Sequence, residues 1–384
     1  RAAGRGGRAG SAVRRERPGA GVSGRPLRAG VVGLGWAGQQ HMAAYADLPD
    51  VDVVALAGHE ADLLVELGER FTVPAEQRFD DWSDLLANAD LDVLSIAAPT
   101  RLHAPIAIAA LDAGVHVLSE KPLAENAEAG ERMVEAAERN QRVLDVSFNH
   151  RRRGVVKALK ELMDDGRLGP IYYAKAGWVR RQGIPTLGSW FTRRATAGGG
   201  PLMDLGVHML DIVLYLLGEP LARTATAATY AEFGPRGRGA AASATEKTGV
   251  AEGGFDVEDL STAFLRLSGG TTLLLESSWA QWVPGDQCYV TVYGADGGAG
   301  ITWVPTSSHR SIQVWTEHDG DARTEQPDLP PDGEHREAVA DFLDLVRSGR
   351  PASGRSLLTR SVIIDACYAS AAQGREFVLQ GPPL

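Results

Sequence analysis

The sequence predicts an α/β protein of two unlike halves: a doubly wound parallel sheet, then a β-rich half closed by two helices. Three observations carry this. From residue 27 to 148, short apolar runs alternate with helical segments, as repeated strand–helix units require. Beyond residue 171, β-rich runs meet at glycine-containing turns such as Ser268-Gly269-Gly270, which suits antiparallel hairpins. And 384 residues, 44% hydrophobic and 23% charged, are enough for two domains with sizeable cores.

The first half reads in order. Residues 27–32 form a buried strand with Arg28 its one charge, and Gly33-Leu34-Gly35-Trp36-Ala37-Gly38 leads into a helix over 39–47. Gly33 permits a tight turn, Gly35 lets backbone approach a pyrophosphate, and Gly38 allows close helix–strand packing. The helix amides then face negative charge. Such a motif is weak alone in a chain of 45 glycines, where a plain turn is the bland reading. A strand before it and a helix after it make it a dinucleotide-binding Rossmann turn. A second strand over 51–57, helices over 61–71 and 82–88, and a buried strand over 93–97 ending in Ala98-Pro99-Thr100 follow. Then come a helix over 103–113, a strand over 115–119 running into Glu120-Lys121-Pro122, a helix over 126–140 and a strand over 142–148.

The second half opens with a helix over 154–165, followed by β-runs at 171–179, 224–231, 260–267, 271–280, 287–293 and 311–316. A Gly/Ala/Ser-rich insert between Phe233 and Phe255 reads as a surface loop, and helices over 336–347 and 357–373 close the chain. Residues 1–24 are of another kind: six arginines among Gly, Ala and Pro, with nothing to bury, so a disordered tail is expected. No separate apolar segment follows the Arg14-Arg15 pair, which makes an upstream start site a simpler reading than an export or transit signal.

Composition removes several function classes. A net charge of −10 argues against sequence-independent nucleic-acid binding. Cys288 and Cys367 offer neither a disulfide framework nor a Cys-x-x-Cys metal site. No apolar run is long enough to span a bilayer, and a cytoplasmic enzyme is expected.

Two stretches carry chemistry. Glu120-Lys121-Pro122 follows a strand's carboxyl end, where ligands bind in open α/β sheets, so Lys121 is more than a solvated loop lysine. Gly198-Gly199-Gly200-Pro201-Leu202-Met203-Asp204-Leu205-Gly206-Val207-His208 then starts an apolar helix with Pro201 at its first position. On that helix Asp204, His208 and Asp211 fall on one polar stripe, i, i+4 and i+7. Singly, Asp204 reads as a dipole-favoured carboxylate and His208 as a satisfied core histidine. Together with Lys121 they read as an acid–base cluster. No third ligand stands at motif spacing beside them, so no metal is expected, and no G-x-S-x-G elbow supports a hydrolase. Trp178, Trp190 and Trp282, with Arg180 and Arg181, suit a sugar, whose C–H faces meet aromatics and whose hydroxyls meet guanidinium groups; Trp279 reads as core packing.

Gly33 to Gly38, Pro99-Thr100-Arg101-Leu102-His103, Glu120-Lys121-Pro122 and Gly198 to His208 together resemble the glucose–fructose oxidoreductase / inositol dehydrogenase (Gfo/Idh/MocA) family, from about residue 27 to the C-terminus. The resemblance implies a Rossmann domain over 25–148 and an α/β domain over 149–384 with a large open, mostly antiparallel sheet that makes a homo-oligomer, dimer or tetramer, its C-terminal helix packing back toward the domain junction. The family's lysine, aspartate and histidine carry over to Lys121, Asp204 and His208, and Pro122 would follow a cis peptide bond. Expected cofactor contacts are Gly33, Leu34, Gly35, Trp36, Ala37, Gly38, Gly58, His59, Ala98, Pro99, Thr100, His103, Glu120 and Lys121. Expected substrate contacts are Lys121, Asn149, Arg151, Trp178, Arg180, Trp190, Asp204 and His208.

One departure matters. Where the family often has an acidic residue for the adenosine ribose, this chain has Gly58, then His59 and Glu60, with no arginine close by in sequence. NAD and NADP both stay open, NAD being favoured. The resemblance implies hydride transfer at a secondary alcohol or ketone of a sugar, cyclitol or glycoside. His208 would serve as base, Lys121 would bond the reacting oxygen, and Asp204 would orient the imidazole or bond a neighbouring hydroxyl. Lys121 and His208 could exchange roles. An NAD-dependent glycosidase using transient oxidation, and a non-catalytic ligand sensor on the same fold, are the alternatives.

Overall fold

The computed structural model describes residues 24–241, 254–305 and 307–379; the tail, but for Gly24, and most of the expected surface insert lie outside them. Six short strands, β1 (Leu27–Val32), β2 (Val51–Ala57), β3 (Arg78–Phe79), β4 (Val93–Ile96), β5 (His116–Ser119) and β6 (Leu144–Val146), pair in the order β3-β2-β1-β4-β5-β6. Every pairing is parallel. Helices α1 (Trp36–Ala46), α2 (Ala61–Arg70), α3 (Trp82–Asn88), α4 (His103–Asp112) and α5 (Ala127–Asn140) make the crossovers. Asp81 caps α3 through Ser83 N, and Asn126 caps α5 through Ala129 N, which fixes where each helix begins. The strand order reverses between β1 and β4, and that switch point opens a crevice beyond their carboxyl ends.

The second sheet has nine strands, in the order β14-β13-β12-β11-β7-β10-β9-β8-β15. They are β7 (Ile171–Val179), β8 (Ala222–Tyr230), β9 (Leu260–Leu267), β10 (Thr272–Ser278), β11 (Gln287–Gly294), β12 (Gly298–Trp303), β13 (Arg310–His318), β14 (Asp321–Glu325) and β15 (Phe377–Val378). All pairs are antiparallel except β7 with β10. Alternation sorts its faces: Ala174, Ala176 and Trp178 point into the core, while Tyr173 stacks on Tyr293 with centroids 5.3 Å apart on the other side. Helices α6 (Gly154–Asp164), α7 (Arg194–Ala197), α8 (Val207–Leu216), α9 (Glu334–Ser348) and α10 (Arg355–Gln373) complete the chain.

The halves are not sequential blocks. Val339, Phe342 and Leu343 of α9 join the core that holds Leu27, Met42 and Tyr45, so α9 completes the first domain's outer layer. The division at 148/149 placed this helix in the second domain. Periodicity shows that a helix has an apolar face, not which sheet receives it. The α10 helix packs along β8 and against α5, where Leu358 lies against Gly130, so the junction is bound from both ends of the chain. A buried ion cluster adds to it: Asp211 accepts from Arg151 and from Arg360, and Arg360 also pairs with Glu219.

Candidate active site

The crevice at the switch point is a cleft of roughly 510 Å³ between the two domains. On the first domain's side its wall includes Gly33, Leu34, Gly35, Trp36, Ala37, Gly58, His59, Ala98, Pro99, Thr100, His103, Glu120 and Lys121. These are the expected cofactor contacts except Gly38. That glycine is buried instead, because a Cβ there would stand 1.9 Å from the Gly33 carbonyl oxygen. Gly33 itself turns at φ +98°, tight against Ala97.

The residues present fit a dinucleotide. The N-terminus of α1 has no side-chain cap and no acid in its first turn, so its amides are left for a ligand. A Cβ on Gly35 would meet nothing within 4 Å, the room that a pyrophosphate crossing this turn needs. His103 sits between the carbonyl oxygens of Pro122 (2.8 Å) and Ala98 (2.9 Å), holding two strand ends together along the wall.

The second domain brings Trp190, Phe191, Gly199, Met203 and Asp204 to the same cleft. Lys121 Nζ meets Asp204 Oδ1 at 2.7 Å across the junction, and the Lys121–Pro122 bond is cis. Burial alone would raise the Asp204 carboxyl. The Lys121 and Arg180 cations more than offset it and hold the group below the usual carboxylate range. Trp279 Nε1 donates to Asp204 Oδ2 at 2.9 Å, so this tryptophan, read from sequence as packing alone, positions the carboxylate. Glu258 was not foreseen either. Its carboxylate accepts from Gly200 N (3.0 Å), Leu202 N (3.1 Å) and the Tyr368 hydroxyl (2.8 Å), fixing the glycine turn that launches Asp204.

The polar stripe expected from Asp204 through His208 to Asp211 is not a stripe. Leu202–Gly206 forms a wide π-turn before α8 begins, so positions that would stack at i, i+4 rotate apart. Asp204 faces Lys121 and Trp279, and Asp211 faces Arg151 and Arg360. His208 lies buried among Phe148, His150 and Trp178, its ring centroid 4.5 Å from that of His150. Asp204 therefore holds the lysine rather than orienting the imidazole. Burial first, then the charges of Lys121 and His150, push His208 well below its ordinary value and keep it neutral.

Other expected contacts fall elsewhere. Arg151 is committed to Asp211 and packs over the Phe148 and Tyr215 rings, so it is withdrawn as a substrate contact. Asn149 turns to His335, 3.4 Å away. Trp178 and Arg180 stack on each other and neither lines the cleft, and Trp282 is 83% exposed beside Phe233.

Comparison with known proteins agrees with this fold. The family model described as "Oxidoreductase family, NAD-binding Rossmann fold" matches residues 27–148, and the GFO/IDH/MocA C-terminal domain matches residues 156–299. The D-glucoside 3-dehydrogenase of Escherichia coli is 30% identical over 359 residues, 91% of this chain and 96% of that protein. The levoglucosan dehydrogenase of Pseudarthrobacter phenanthrenivorans is 31% identical over 71% of this chain and 72% of that protein. Among solved structures, a levoglucosan dehydrogenase in complex with NADH and L-sorbose superposes with a TM-score of 0.79 at 24% identity, covering 93% of this chain and 99% of that one, a likeness of fold.

Proposed function

The chain belongs to the GFO/IDH/MocA oxidoreductase family, and from that premise we propose that it transfers hydride between NAD and a secondary alcohol or ketone carbon of a sugar, cyclitol or glycoside. One observation carries the reading: an ion-paired lysine and aspartate from different domains meet in the wall of the interdomain cleft. A nicotinamide cofactor, its pyrophosphate held at the turn after β1, would supply the hydride acceptor or donor. Lys121, its charge balanced by Asp204, donates to the reacting oxygen and stabilises developing alkoxide charge. His208, neutral, buried within electrostatic reach of Lys121 and not itself in the cleft wall, would take the hydroxyl proton in oxidation and return it in reduction. Trp190 and Phe191, rings stacked at 3.7 Å, offer an apolar wall to a sugar's C–H face. The outer face of the second sheet, where Tyr173 stacks on Tyr293 and Leu274 is exposed, suits pairing with another copy of the chain.

A panel of sugars, cyclitols and glycosides assayed by nicotinamide absorbance tests the reading. Net NADH accumulation with one of them is expected. Cofactor binding without turnover on any would favour a sensor, and substrate cleavage without NADH accumulation a glycosidase.

Cofactor choice follows from the cleft's far end. Glu60 and Asp80 line it beside Gly58 and His59, and no arginine lines it among the described residues. A 2′-phosphate would meet carboxylates there, so NAD should bind at least about tenfold tighter than NADP, roughly 1.4 kcal/mol. Calorimetric titration with both nucleotides reads this directly; equal affinities would contradict it.

The pH profile has a definite sign. An ordinary imidazole titrates near 6.5. Because His208 is pushed well below that, its base form persists as pH falls, and the acidic limb of kcat/KM should lie below pH 6.5. The same depression makes the unfolded chain take up the proton first, so stability is lost as pH drops below the unfolded value. A limb at or above 6.5 would remove His208 as the base.

A further inference from the structure

Two helices from opposite ends of the chain turn a histidine toward one carboxylate oxygen. His41 Nε2, on α1, lies 2.9 Å from Glu120 Oε1, and His335 Nε2, on α9, lies 3.9 Å from the same atom. The three donor atoms all lie within 4.8 Å of one another, and all three side chains are buried. From this geometry we propose a binding site for a borderline divalent cation of the Zn²⁺ class, held by His41 Nε2, Glu120 Oε1 and His335 Nε2, with a fourth position open to the cleft that Glu120 lines.

The spacing suits the ion. Tetrahedral ligands at zinc–nitrogen and zinc–oxygen distances stand about 3.3 Å apart, and the observed separations of 2.9 and 3.9 Å bracket that value. Two histidines and a glutamate with one open position form a recognised zinc donor set. The opposite ring nitrogens are backed as such a site needs. His41 Nδ1 is 2.9 Å from Ser95 Oγ, which is 2.9 Å from the Tyr45 hydroxyl, and His335 Nδ1 is 3.4 Å from the Asn149 amide.

The hydrogen bonds can reverse, with the Tyr45 hydroxyl proton the one donor that must find a new acceptor. In the metal-free state His41 donates Nε2–H to Glu120 and accepts at Nδ1 from Ser95. With Nε2 on a metal, Nδ1–H donates to Ser95, whose own proton turns to Tyr45. An Asn149 amide turned over accepts from His335 Nδ1–H in the same way. Each imidazole moves one proton between its own nitrogens, so none need leave.

Ligands at positions 41, 120 and 335 are far too dispersed for a spacing motif, which is why a metal was not expected from sequence. Occupancy would put two positive charges beside Lys121, whose backbone N–H lies 3.3 Å from Glu120 Oε2, and would inhibit turnover. The binding stands apart from the proposed dehydrogenase activity; the inhibition rests on it.

Chelator-treated protein titrated with ZnCl₂ in a calorimeter, and with Co²⁺ followed by visible absorption, tests the site. One equivalent should bind, with a tetrahedral cobalt spectrum, and His335→Gln should weaken it by about 100-fold or more. Full binding retained in that variant would assign the metal to surface histidines, and no binding in the native chain would end the proposal. Should the variant not fold, anomalous diffraction from a zinc-soaked crystal decides: a peak between His41, Glu120 and His335 supports the site, and a peak only elsewhere refutes it. Zinc should inhibit any turnover of the native chain and not that of the variant. A chain without turnover leaves the binding arm decisive by itself.

Discussion

Lys121→Met is expected to lower kcat by about two to four powers of ten, the range for a positioned acid–base or electrostatic group, while NAD affinity changes far less. The reason is division of labour along the cleft. Pyrophosphate contacts fall to the turn after β1 and the start of α1, whereas Lys121 meets the second domain where the substrate oxygen must sit. The substitution has a second consequence. It strands the buried Asp204 carboxylate, leaving Arg180 nearby and the Trp279 hydrogen bond to hold its charge. Breaking such a pair from one side costs on the order of 3–5 kcal/mol, so the single variant should also melt earlier. Adding Asp204→Asn removes the stranded charge and should restore much of the melting temperature without restoring kcat. Steady-state kinetics and scanning calorimetry on the three variants separate the two effects. A Lys121→Met protein that keeps its turnover within tenfold would sink the assignment. His208→Ala should fall by a comparable factor, and combining it with Lys121→Met should be far less than additive, because both act on one proton transfer.

How much of this was legible in the sequence depends on the range of the interaction. Local signals read well. The strand before and the helix after the Gly33 turn, the Pro201 start and the segment over 82–88 follow from short apolar runs, glycine turns and caps, all set within a few residues. Short edge strands did not. Arg78–Phe79 and Asp321–Glu325 have little apolar content and exist because a neighbour offers hydrogen bonds. At the site, Lys121 and Asp204 were visible because each sits at a position that an α/β architecture makes special. Their partners were not. Glu258 and Trp279 reach the site from the strand-rich half, and nothing near them in sequence marks a carboxylate that caps a distant turn or an indole that steers one. The π-turn at 202–206 was the costliest miss. Regular helical spacing put Asp204, His208 and Asp211 on one face, and the extra residue in one turn gave each a separate environment. Arg151 shows the complementary error: a charged residue beside the site was assigned to a ligand when a buried aspartate already required it.

The glycine turn offers the cleanest separation of binding from folding. Gly35→Val should leave the melting temperature within a few degrees of the native chain. Its φ of −66° is open to any residue, and a Cβ there meets nothing within 4 Å. The new side chain instead occupies room reserved for a pyrophosphate and shields amides at the start of α1. Losing two charge-assisted hydrogen bonds of about 1.5–3 kcal/mol each predicts a fall in NAD affinity of roughly 100- to 10,000-fold. Gly38→Val, three residues on, should do the reverse first. Its Cβ would lie 1.9 Å from the Gly33 carbonyl oxygen, a backbone atom that cannot move without parting helix from strand, so the fold itself should weaken. Calorimetric titration and thermal melting of both variants therefore give crossed results if the turn is a nucleotide cradle: one variant stable and blind to NAD, the other unstable before affinity is asked. Unchanged NAD affinity in a well-folded Gly35→Val protein would remove the cradle, and with it the dehydrogenase reading, whatever the resemblance to the family.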